Sequence, residues 1–207
     1  MELRDRIIEN ASALFFRNGI KSMTMSDIAA ETGISKRTLY EIFRDKDELL
    51  EACIKNHICK NDCEIAKIIE KDEDVIVTLM RFHSIQLSTR WSVGRSIIND
   101  LRRYHRDLYN TIEARQNEKI LTFIPLFEKG VEQGLIRDDT PFEILLWLLN
   151  RQLRTLMDDE KIPSHRYSLT DCLGAMTLNF IRGMATPLGV KRIDELIEKE
   201  KEITKNK

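Results

Sequence analysis

Within the stretch GISKRTLYEIFRDKDEL, Ser35, Lys36, Arg37, Thr38 and Tyr40 set two hydroxyls, two cations and a phenol inside six consecutive positions. Lysine and arginine can meet phosphates or guanine edges. Threonine can hydrogen-bond a base or touch a thymine methyl, and a tyrosine hydroxyl can reach a phosphate. Lys46 adds a cation at the expected start of a following helix, where backbone N–H groups favour an anion. The patch is modest: from Lys36 to Lys46, four cations (Lys36, Arg37, Arg44, Lys46) stand against Glu41 and Asp45. The same spacing also fits a solvated cationic face, and helix-turn-helix geometry occurs in proteins that bind no DNA. Glu41 either accepts from a cytosine amine or pairs with Arg37 or Arg44 at helical spacing.

A second group with chemical potential is Cys53, His57, Cys59 and Cys63. Each half has the i, i+4 spacing that suits a metal. The two halves nevertheless sit at different angles round one helix, so no single tetrahedral site collects all four without a second element. The expectation is free thiols, no metal and no cofactor. Four cysteines in a chain that starts with the charged MELRDRIIEN read as cytoplasmic thiols, not a disulfide framework.

Nearly every periodic stretch has helical spacing, which predicts an all-α protein. Leu3, Ile7, Ala11, Leu14 and Phe15 share one stripe of a first helix that stops near Asn18, before Gly19. Thr24 and Asp27 have capping-box spacing for a short second helix ending at Gly33. Ser35 is the natural N-cap of a third, with Ile34 and Leu39 as its hydrophobic staple. With Leu39, Ile42 and Phe43 turned inward, an advance of about 100° per residue leaves Arg37, Tyr40, Glu41 and Arg44 outward. Asp45 and Glu48 repeat the capping box for a fourth helix running to about residue 70. Further helices are predicted at about 73–89, 93–104, 106–133, 141–158 and 169–184, with Pro125 kinking or breaking the third of these. A short, fraying helix is predicted after Val190.

A chain of 207 residues, 42% hydrophobic and 32% charged, has room for one good core or two small ones. Its net charge of −1 leaves nucleic-acid binding to a local patch. No run approaches the roughly 20 apolar residues of a membrane span. Glycine-rich phosphate loops, HExxH and nucleophile elbows are absent from the sequence, which argues against an enzyme.

The run TMSDIAAETGISKRTLYEIFRDKDELL resembles the DNA-binding segment of the TetR family of bacterial transcriptional regulators. The likeness rests on Thr24, Ile28, Ala29, Gly33, Ile34, Ser35, Thr38, Leu39, Tyr40, Phe43, Lys46 and Leu49 in order and spacing. Two looser signatures, FEKGVEQGLIRDDTP and FIRGMATPLG, resemble a turn and a terminal helix of the family's larger domain. The resemblance implies a three-helix helix-turn-helix domain at 1–46 and a helical effector-binding and dimerisation domain at 47–207. It implies that Ser35, Lys36, Arg37 and Thr38 face the groove and that Tyr40 and Lys46 hold phosphates, with Thr24 completing the DNA-binding set. The implied function is a repressor that binds a palindromic operator as a homodimer and is released by a small effector. A helical scaffold that has lost DNA binding is the alternative, and a helical enzyme a more distant one.

The run EILLWLLNRQLRTLM is apolar nearly all round at 144–149 and needs a partner surface. Leu145, Leu149 and Leu153, with Leu169, Leu173, Met176 and Phe180 on the last long helix, are the expected dimer residues, as half of a four-helix bundle across a two-fold axis. Where such regulators hold an effector, Phe82, Trp91, Tyr104, His105, Phe123, Phe127 and Trp147 offer aromatic surface; each also suits a core.

Overall fold

In a computed structural model of the chain, residues 2–71, 73–88, 95–158 and 167–205 are described. Among them the fold is all-α, eleven helices with one isolated antiparallel bridge and no strand. The contacts divide the chain into two compact units, Met1–Ala66 with Ser92–Ile112, and Lys67–Trp91 with Glu113–Lys207.

The first unit is built on α1 (Leu3–Asn18), α2 (Met25–Thr32), α3 (Lys36–Ile42), α4 (Lys46–Ile69), α6 (Arg95–Tyr104) and the start of α7 (Arg106–Leu121). Its core holds Ile7, Ala11, Phe15, Ile28, Leu39, Phe43, Leu49, Leu50 and Ile97, all between 0% and 1% exposed. The α1 stripe and the staple pair were legible because both follow the 3.6-residue period. The turns are closed locally. Thr24 Oγ1 accepts from Asp27 N–H while Thr24 N–H donates to Asp27 Oδ2, a complete capping box. Gly33 takes φ +69° at the end of α2, and Ser35 Oγ caps α3 by accepting from Thr38 N–H at 3.0 Å. At α4 the box is shifted by one residue. Asp45 Oδ1 accepts from Glu48 N–H, but the Glu48 carboxylate accepts from Arg44 N–H, not from Asp45.

The second unit contains α5 (Val75–Ser88), α8 (Ile124–Glu132), α9 (Phe142–Asp158), α10 (Leu169–Met184) and α11 (Pro187–Lys205). Val75, Ile76, Phe127, Ile136, Leu146, Ile181, Met184 and Ile193 form its core. One expectation is met and one is corrected. The stretch 106–133 breaks at Pro125, as expected, into α7 and α8, because Pro125 has no N–H and its ring opposes the carbonyl four residues back. The short helix predicted after Val190 is instead 19 residues long. Thr186 stands just before it, its hydroxyl accepting from Gly189 N–H, and Pro187 suits a helix's first position. The two loosely matched signatures lie against each other: Arg137 N–H donates to Met184 O, Thr186 N–H donates to Leu135 O, and Ile136 bridges Ala185.

A half-buried imidazole ties α5 to α10. The Thr177 hydroxyl donates to Leu173 O, so the His83 Nδ1–H donates to Thr177 Oγ1 at 2.6 Å. Burial holds the His83 pKa below its ordinary 6.5, with the Glu200 carboxylate opposing the shift. The neutral ring is therefore favoured in the fold, and the stability it contributes is complete above pH 6.5 and lost as pH falls through the lowered value. Hydrogen bonds and arginine partners hold the Glu73, Asp139 and Asp171 carboxyls below their ordinary values, so their contribution is lost only at lower pH. Thermal melts should decline first just below pH 6.5, and His83→Asn, which keeps an N–H near Nδ1 without titrating there, should flatten that decline.

Candidate nucleic-acid interface

The seven residues of α3 lie over the first core through Leu39, which is 0% exposed, and Phe43. Lys36, Arg37 and Tyr40 are exposed, Tyr40 by 45%, and Thr38 is half-exposed. The Lys36 ammonium sits 5.9 Å from the Tyr40 ring centroid. Arg37 Nε pairs with Glu41 Oε1 at 3.0 Å, which answers for Glu41 in this structure; with both side chains largely solvated, the pair adds little stability. Arg44 Nε donates to Asp45 Oδ2 at 2.9 Å. The result is one short helix whose outward face carries donors and cations and whose inward face is packed.

Three of the expected DNA-binding residues have structural work in the same place. Thr24 and Ser35 spend their oxygens on helix caps. Lys46 is half-buried, and its ammonium donates to Ile20 O and Met23 O, both at 3.1 Å. An ammonium has three N–H donors, so one is left for an anion. Ser35→Ala should cost about 1 kcal/mol of stability through the lost cap, read in a urea titration.

A cation that the motif reading passed over, Lys21, lies in the turn before Thr24. Its N–H donates to Asp100 Oδ2 at 2.9 Å, and its ammonium donates to the Tyr104 hydroxyl at 3.3 Å. The available signal was a cation three residues ahead of a cap.

The other candidates separate. Cys53 is buried, its thiol pushed up to about 11 by burial, while Cys59 and Cys63 are exposed and the His57 ring packs edge-on to Phe16. Of the seven side chains expected at an effector pocket, Phe82, Phe123, Phe127 and Trp147 belong to the second unit. Phe127 is 2% exposed and stacks on Phe142; Phe82 meets Phe123 edge to face. Tyr104 and His105 belong to the first unit, and Trp91 lies outside the described residues. Trp147 is 62% exposed on α9. It borders a surface groove of about 510 Å³ with Leu121, Ile144, Asn150 and Arg151.

Of the expected dimer residues, Leu173 is corrected: at 1% exposed within a single chain, it is core. Leu145 and Phe180 pack partly on that core, and Leu149, Leu153, Leu169 and Met176 are half-buried. The open apolar stripe of α9 is instead Ile144, Trp147 and Leu148, opposite the buried Leu146.

Two capped helices joined through a left-handed glycine, over a shared core and with a donor-rich outer face, define a helix-turn-helix protein. Residues 7–53 match the family described as bacterial regulatory proteins, tetR family. The chain's N-terminal helix-turn-helix segment is thus of the tetR type, and the chain as a whole is similar to HTH-type transcriptional regulators. It is 25% identical over 176 residues to the HTH-type transcriptional regulator YvaF of Bacillus subtilis, covering 81% of this chain and 88% of that one. It is 22% identical over 146 residues to the HTH-type transcriptional repressor KstR2 of Mycolicibacterium smegmatis, covering 69% and 71%. The fold is similar to that of a transcriptional regulator from Saccharomonospora viridis solved in complex with choline, with TM-score 0.67, 24% identity and coverage of 88% and 97%. Among the described residues no helix is long and apolar enough to cross a membrane.

Proposed function

We propose that this regulator is a cytoplasmic homodimeric repressor, with residues 1–46 reading a palindromic operator and residues 47–207 dimerising and binding a small effector. The observation that carries the reading is the outward face of α3. Lys36, Arg37, Thr38 and Tyr40 are presented together on a helix fixed from behind by Leu39 and Phe43. Lys36, Arg37, Ser35 and Thr38 supply groove contacts, and Tyr40, Thr24 and the remaining Lys46 donor hold phosphates. One such helix makes few contacts, so tight recognition needs a two-fold pair. The α9 stripe at Ile144, Trp147 and Leu148 is the surface we assign to the second copy, flanked by the half-buried Leu149, Leu153 and Met176. Repression is supported by the name of the KstR2 relative, and a small effector by the choline complex of the similarly folded regulator. The effector need only bind the conformation that does not bind DNA more tightly, by a few kcal/mol, to release the operator.

The test is titration of purified protein against duplex from upstream of its own gene, a scrambled duplex and random-sequence libraries, at two salt concentrations. A preference on the order of a thousandfold that falls steeply with salt and disappears in Tyr40→Ala is the expected result. Absence of binding to every duplex would overturn the reading in favour of a scaffold.

A further inference from the structure

We propose that the corner between α6 and α7 adds phosphate contacts to the DNA surface of α3, through Lys21, Arg103 and Arg106. This rests on the DNA-binding reading above. The corner touches the elements that flank α3. Tyr104 ends α6, and its hydroxyl accepts from the Lys21 ammonium at 3.3 Å. That ammonium lies 5.3 Å from the Tyr104 ring centroid, and the Arg103 guanidinium lies 5.8 Å from the same centroid. Asp100, one turn earlier, accepts from the Lys21 backbone N–H, which fixes the turn between α1 and α2 against α6. The next residue, His105, places Nδ1 3.6 Å from Oδ1 of Asp47, the second residue of α4. Lys46, its neighbour, bonds the carbonyls of Ile20 and Met23 on either side of Lys21. Residues 104 and 105 therefore stand at once against the turn leading to Thr24 and the start of α4, the two places assigned phosphate contacts.

The corner carries a small excess of positive charge: Lys21, Arg102, Arg103 and Arg106 stand against Asp47, Asp100 and Asp107, and Asp100 already accepts from a backbone N–H. Among the described residues no carboxylate pairs with Lys21, Arg103 or Arg106. Lys21 and Arg103 meet at one tyrosine ring, like charges this close repel, and phosphates continuous with the helix-turn-helix surface relieve that repulsion. Tyr104 holds two of the cations at 5.3 and 5.8 Å from its ring centroid.

The test measures binding constants over a salt series for the full chain, on its preferred duplex and on a scrambled one. The variants are Arg103→Gln/Arg106→Gln, Tyr40→Ala, and Lys191→Gln as an exposed cation of α11. Neutralising two phosphate-contacting cations in each copy, four in the dimer, should reduce the slope of log K against log salt by about 3.6 and weaken both duplexes alike, while Lys191→Gln leaves the slope unchanged. Melting temperatures near that of the parent show that the exposed substitutions leave the fold intact. If Tyr40→Ala weakens binding but the double variant keeps the parent slope, the corner is a solvated basic face and the inference fails while the operator reading stands. If the parent binds no duplex, the operator reading fails and takes this inference with it.

Discussion

Replacing Trp147 with glutamate is expected to leave a species of 24.3 kDa in light scattering where the parent scatters as twice that mass. The indole is 62% exposed between Ile144 and Leu148 on α9, an apolar stripe with water for a neighbour in the single chain. Exposed residues of this size, contiguous on one helix, mark an association surface. A carboxylate at its centre would be desolvated by a second copy without a partner, and a two-fold axis brings two such carboxylates near each other. Because the side chain is open in the monomer, melting of the separated chain should change little. Operator preference should drop on the order of a thousandfold, toward the level of non-specific DNA, since one α3 cannot read two half-sites. A variant that stays dimeric would remove α9 from the interface.

The largest loss of stability is expected from Gly189→Ala. A Cβ there would lie 2.2 Å from Leu135 O and 3.1 Å from the Ala185 Cβ. The obstacle is backbone, and that backbone is engaged: Leu135 O accepts from Thr186 N–H, and the Thr186 hydroxyl donates to Gly134 O. Making room means separating α11 from the turn after α8, at about 3 kcal/mol, the upper part of the usual overpacking range. Gly183→Ala is the control. A Cβ at Gly183 meets nothing within 4 Å, so alanine near the end of α10 should be neutral or mildly stabilising. Urea midpoints of the two variants against the parent decide the matter; equal midpoints would show that the turn yields freely.

What could be read from the residues alone follows the range of the interactions. Thr24 with Asp27, Ser35 with Thr38, and the stripe through Ile7, Ala11 and Phe15 are satisfied within one turn or one helix, so their spacing is sufficient information. The face of α9 is another kind of question. Trp147 and Leu146 are adjacent and both apolar, and only the placement of α8 and α10 makes one buried and the other open. The same dependence moved Leu173 into the core. The Lys46 ammonium was legible as a cation at a helix start, but its bonds to Ile20 O and Met23 O depend on a turn more than twenty residues away. The length of α11 was obscured because Thr186 and Pro187 were read as part of a signature and not as a helix start.

Gly33 leaves one consequence for the turn that aims α3. Its φ is +69°, yet a Cβ added there meets no atom within 4 Å. Volume is free at this point; what the backbone refuses is handedness. L-alanine should therefore cost on the order of 1 kcal/mol without touching anything, and asparagine, which visits this conformation more readily, should cost less. A D-alanine introduced by peptide ligation should hold the turn better than glycine itself, since for the mirror-image residue this conformation is the relaxed one. The joint between the two helices would then be stiffened by chirality alone, with the outward face of α3 left chemically unchanged.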